Sequence, residues 1–187
     1  MDLYDAAASD DVAMIRTLVA QGVDFEAEDD QGRRPLHLAA VMGQVEALKT
    51  LVELGADVEA VNAGGMRPLL WAALYGRVEA LRALVELGAD VEAENDGGMR
   101  PLHWAAIEGH VEAVKTLVEL QANVEAEDAR GWRPLHMAAL WGHVEALRAL
   151  AELEADIEAE TGREREWSCR EAADGIPEWP VDRSGIP

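Results

Sequence analysis

Gly97-Gly98-Met99-Arg100-Pro101-Leu102-His103-Trp104-Ala105-Ala106-Ile107-Glu108-Gly109 reads as a turn, a helix start and a helix stop in thirteen residues. The glycine pair supplies the turn, and Pro101 opens a helix at the one position where its missing N–H is harmless. Leu102 to Glu108 gives a short apolar helix, and Gly109 ends it as the residue type that best tolerates a left-handed cap. A second helix follows over Val111 to Leu120, with Val111, Val114, Leu117 and Val118 forming an apolar stripe. Its polar face carries Glu112, Lys115 and Glu119 at spacings that allow pairing along the helix. Ala122-Asn123-Val124 then leads to the next turn. Neither helix is long enough to be stable alone, so such a unit must stack on copies of itself to bury its apolar face.

Those copies are present. Pro35, Pro68, Pro101 and Pro134 recur every 33 residues. Gly32, Gly65, Gly98 and Gly131 keep the same step, as do Gly43, Gly76, Gly109 and Gly142. The register divides the chain into units 29–61, 62–94, 95–127 and 128–160. Residues 1–28 read as a capping unit: Leu18-Val19-Ala20-Gln21-Gly22-Val23-Asp24 repeats the closing segment, while the Pro-Leu-His turn is lost. Asp2, Asp5, Asp10 and Asp11 give that unit the polar outer face an end repeat needs. Residues 161–187 read as a degenerate cap and extended tail, with Ala172 and Gly175 still in step and Trp167 as a candidate plug. The prolines near its end exclude a continuing helix, leaving either a loosely held tail or one that folds back.

Composition agrees with stacked helices. The 187 residues are 49% hydrophobic yet hold one Phe and two Tyr, the remainder being mainly Ala, Leu and Val. A formal net charge of -21 disfavours nucleic acid and anionic membrane surfaces as partners. The same charge either draws in a basic partner or serves solubility alone. Cys169 is the single cysteine, so no internal disulfide is possible. The first residues carry no signal-peptide pattern and no apolar run is long enough to span a bilayer, so the expectation is an intracellular protein, cytoplasmic or nuclear.

Arg34-Pro35-Leu36-His37-Leu38-Ala39-Ala40 and Gly55-Ala56-Asp57-Val58-Glu59 resemble the ankyrin repeat family, whose pattern runs G-x-T-P-L-H-x-A-A and closes on G-A-D-V-N. The resemblance covers residues 1–160, as four full repeats behind an N-terminal capping repeat. It implies an all-α repeat solenoid, a helix–turn–helix stack with β-turn fingers, and a concave groove that binds a protein partner. It also implies no catalysis, no cofactor and no metal. Two departures recur together. Arg34, Arg67, Arg100 and Arg133 stand where the family has Thr, and Glu59, Glu92, Glu125 and Glu158 where it has Asn. They predict an Arg–Glu ladder joining neighbouring units; inheritance from one duplicated ancestral unit is the plainer alternative.

In the family geometry the fingertips and the last residues of each first helix face the groove. Met42, Met66, Leu74, Tyr75, Met99, Ile107, Glu108, Trp132, Leu140 and Trp141 occupy those positions and are the candidate partner-binding residues. Aromatic and methionine side chains at sites that need not be buried suggest an interaction strip; mutual stacking that stiffens the fingers is the alternative, and the one expected for Trp71 and Trp104. Glu46, Glu53, Glu79, Glu86, Glu112, Glu119, Glu145 and Glu152 fall on the second helices as a solvated face, while Glu94, Glu127 and Glu160 give the groove an acidic rim. An apolar strip with that border suits a basic, amphipathic segment of a monomeric scaffold's partner. The competing reading is a structural element that meets a second copy of itself. His37, His103 and His136 sit where the family imidazole bonds to backbone, too far apart for a metal site, and Cys169 lacks catalytic neighbours in sequence.

Overall fold

The structure, a computed structural model, describes residues 2–153 together with Ala155 and Asp156. Ten helices lie among them: α1 Leu3–Ala8, α2 Val12–Ala20, α3 Pro35–Met42, α4 Val45–Glu53, α5 Pro68–Leu74, α6 Val78–Glu86, α7 Pro101–Ile107, α8 Val111–Glu119, α9 Pro134–Leu140 and α10 Val144–Glu152. No strand occurs among the described residues. The odd-numbered helices stack as an inner layer, each on the next, and the even-numbered helices stack as an outer layer. Each inner helix also packs on the outer helix that follows it. The expected cap plug at Trp167, the tail and Cys169 lie outside the described residues.

Stacking is what stabilises these helices, because inner helices of seven residues such as α5 and α7 would not persist in water. Leu36, Leu69, Leu102 and Leu135 are each 1% exposed. A fully buried Leu contributes about 1.5–3 kcal/mol, so this one repeated position supplies much of each junction's stability. Ala39, Ala40, Ala72, Ala73, Ala105 and Ala106 are wholly buried between inner helices, where a larger side chain would hold the helices apart.

The turns explain the repeated glycines. In each finger an Asx side chain closes the loop: Asn95 Oδ1 accepts from Gly97 N–H at 2.9 Å and Met99 N–H at 3.0 Å. Asp29, Asn62 and Asp128 make the same two bonds in their own fingers. Gly98 has φ +71°, and a Cβ there would lie 2.8 Å from the Ala129 backbone nitrogen. Removing the side chain lets the fingers touch directly, with Ala129 N–H donating to Gly97 O at 3.1 Å. Gly109 has φ +70°, and a Cβ there would meet the His143 ring at 2.5 Å.

Candidate functional site

The inner helices α3, α5, α7 and α9 each begin at an arginine N-cap followed by proline at the first helical position. Arginine has no acceptor for the first-turn N–H groups, so the usual side-chain cap is absent. A histidine three residues on compensates by accepting the cap's own N–H: Arg34 N to His37 Nδ1 at 3.0 Å, Arg100 N to His103 Nδ1 at 3.2 Å and Arg133 N to His136 Nδ1 at 3.0 Å. That bond leaves Nε2 as the protonated nitrogen. His37 Nε2–H points to Ala60 O and Met66 O at 3.0 and 3.1 Å, and His103 Nε2–H to Trp132 O at 3.0 Å. Burial lowers the pKa of His37 and His103, which keeps both rings neutral for this role.

The arginine side chains form the expected ladder, with one more rung than the sequence suggested. Arg34 pairs with Glu26 at 2.5 Å, Arg67 with Glu59 at 2.8 Å, Arg100 with Glu92 at 2.6 Å and Arg133 with Glu125 at 2.5 Å. Each glutamate spends its other oxygen on the far end of the same neighbouring unit. Glu26 Oε1 accepts from Asp57 N–H at 3.0 Å, Glu59 from Asp90 at 2.8 Å, Glu92 from Asn123 at 2.9 Å and Glu125 from Asp156 at 2.8 Å. One carboxylate therefore ties together two points of the next unit, residues eight and thirty-one positions ahead. Glu28, Glu94 and Glu127 add a second carboxylate to Arg34, Arg100 and Arg133 at 3.2, 2.8 and 3.3 Å. Desolvation opposes the charge on Arg100, but Glu94 and Glu92 outweigh it and raise its pKa. Glu158 lies outside the described residues. The sequence reading missed Glu26, although it keeps the 33-residue step to Glu59, Glu92 and Glu125.

The strip of candidate binding residues divides under the structure. Met42 and Tyr75 are exposed at 48% and 44%. Glu108 is exposed, while Leu74, Leu140, Trp132 and Trp141 are half-buried against the core. Met66, Met99 and Ile107 are at most 9% exposed, which corrects the expectation that they present themselves to a partner. For Met66 and Met99 the reason is that these finger residues turn inward between successive units; Asn95 Nδ2, for example, lies 3.7 Å from Met66 Sδ. Trp132 is covered in part by the Arg130 guanidinium, 6.0 Å from its ring centre, and meets His136 edge-on at 6.3 Å. Trp71 stacks with Tyr75 at 6.2 Å, and Trp104 is buried in the core.

The sequence matches the family described as ankyrin repeats (3 copies) over residues 3–95 and 88–161, nearly the whole of the described fold. The chain is an ankyrin repeat protein. No curated protein matches it. Ankyrin repeats generally mediate protein–protein interaction. Among the described residues no group of His, Cys, Asp and Glu is arranged to hold a metal ion, and no helix is long and apolar enough to cross a membrane.

Proposed function

We propose that this ankyrin repeat protein is a non-enzymatic intracellular scaffold that receives a basic, amphipathic segment of a protein partner along the ends of its inner helices. The observation that carries the reading is the placement of exposed apolar side chains. Met42 and Tyr75, at 48% and 44% exposure, both lie at the inner-helix ends, and Leu74, Leu140 and Trp141 continue the same face half-buried. Trp132 borders it at the last finger, partly covered as described. Such a patch with charged neighbours is the usual composition of an interaction site. The net charge of -21 favours a basic occupant and speeds its approach.

A photo-crosslinking residue placed at Tyr75 or Met42, and at Glu112 on the outer α8 as a control, tests the reading in cell lysate. A defined partner band from the two inner positions and none from the control is the expected result. Equal labelling from all three positions would sink it. With the partner in hand, Tyr75→Ala together with Trp141→Ala should weaken binding by about tenfold or more, as loss of aromatic hot spots does.

A further inference from the structure

Four of the five inner helices end on equivalent residues: Met42 closes α3, and Tyr75, Glu108 and Trp141 are the C-caps of α5, α7 and α9. These positions are neighbours in space because α5 packs on α7 and α7 on α9. A cross-unit bond holds the ends together, His110 Nε2 donating to Leu74 O at 3.1 Å. The row is thus a carboxylate with an aromatic ring on either side. Tyr75 is exposed, Trp141 half-buried, and Glu108 is exposed, its carboxylate making neither a hydrogen bond nor an ion pair to any described group.

Two further features lie one turn back on the same helices. Trp104, one turn before Glu108 on the same helix, is 7% exposed and its indole N–H has no acceptor. Trp71, one turn before Tyr75, also carries a buried indole N–H without an acceptor. Buried donors are normally satisfied, and a pair left open one turn behind an exposed row points to an acceptor that arrives with a ligand. Arg77 is held at the Met42 end of the row, where Nε donates to Val41 O at 2.8 Å.

We propose that Tyr75, Glu108 and Trp141 form a seat for one arginine side chain of the partner segment. The Glu108 carboxylate takes the guanidinium through paired N–H···O bonds, and the rings of Tyr75 and Trp141 border the seat on either side, so that one of them stacks on a planar face. Arginine fits this seat better than lysine because it stacks and donates in a fork, whereas an ammonium is a compact, strongly hydrated charge. A peptide backbone laid along the row brings a carbonyl oxygen to the Trp71 N–H once the Tyr75 ring turns off Trp71. The seat rests on the groove reading above and adds to it the identity of the anchoring residue.

A random peptide library displayed on phage and panned against the full chain supplies the probes, which are then synthesised and measured by fluorescence anisotropy. Selected peptides should carry arginine at one fixed position, and its replacement by citrulline should weaken binding about tenfold. Glu108→Gln should erase that discrimination, while Glu112→Gln on the outer layer should leave it intact. Citrulline binding as well as arginine, or arginine peptides indifferent to Glu108→Gln, would overturn the seat. Peptides without any basic residue that lose affinity in Tyr75→Ala and Trp141→Ala also overturn the seat but leave the groove reading standing. Peptides indifferent to every one of these substitutions overturn both.

Discussion

The junctions at Arg100 and Arg67 are the same structure built with different chemistry. Arg100 is gripped by Glu92 and Glu94, and its N–H is accepted by His103, which donates its own Nε2–H to Trp132 O. Arg67 keeps only Glu59, because Val61 stands where the other unit has Glu94 and Leu70 where it has His103. Its Nε lies 2.8 Å from Glu59 in an ion-pair contact poorly aligned for a hydrogen bond, and Nη1 turns instead to Glu94 O at 2.5 Å. Despite these losses α5 starts at Pro68 as α7 starts at Pro101, and Leu70 is fully buried. Proline and apolar burial set the helix; the polar network fastens one unit to the next.

The largest break in that comparison is His103→Ala. It removes a buried ring with bonds at both nitrogens and leaves a cavity, where Leu70 fills the equivalent space. Large-to-small changes of this kind destabilise by about 2–4 kcal/mol, which urea unfolding followed by circular dichroism would read directly. Leu70→Ala, which breaks no hydrogen bond, tests whether the loss is polar or steric. The histidine effect also has a pH window. Burial lowers the pKa of His37 and His103 in the fold, whereas the unfolded chain takes up those protons near about pH 6.5. Their contribution is therefore full above that pH and falls away as pH drops from the unfolded value through the folded one. The penalty of His103→Ala should be smaller at pH 5.5 than at pH 7.5; an equal penalty at both would contradict the neutral-ring assignment.

Next comes the ladder itself. Glu92 binds Arg100 and the Asn123 N–H with side-chain exposure of 33%, while Glu119 pairs with Arg82 at 60%. Glu92→Ala takes from a partly buried guanidinium one of its two carboxylates and leaves a main-chain donor without its acceptor, for a cost of about 1–2 kcal/mol. Glu119→Ala removes only a solvated pair and should change stability by about 0.5 kcal/mol or less. Similar values for the two would mean that the ladder is ornamental to the stack.

Much of this could be read from the residues alone. The 33-residue recurrence of proline and glycine set out the stack, and the paired departures to arginine and glutamate announced the ladder. What stayed hidden was the second half of each rung, since the carboxylate's other partner is a backbone N–H, which every residue but proline carries. The exposure of Met42, Tyr75 and Glu108 was legible, because they stand at or just past the ends of inner helices. It was misread at Met66 and Met99, because a finger side chain can turn either way and only the neighbouring unit decides. Ile107 was misread for a related cause: it precedes the cap by one residue and is drawn into the core.

The gentlest change converts the weak junction toward the strong one. Val61 is 44% exposed, so Val61→Glu forfeits little burial and offers Arg67 the second carboxylate that Arg100 finds in Glu94. The gain should be small, about 0–0.5 kcal/mol, because the new pair is solvated and the chain already carries a net charge of -21. It should shrink further as salt is added, since screening weakens an exposed pair. Combined with Arg67→Ala, the substitution should become neutral or slightly unfavourable, leaving only an added negative charge. A gain that persists without Arg67 would show that Val61 acts through local turn preference, and that a second carboxylate is not what distinguishes the two junctions.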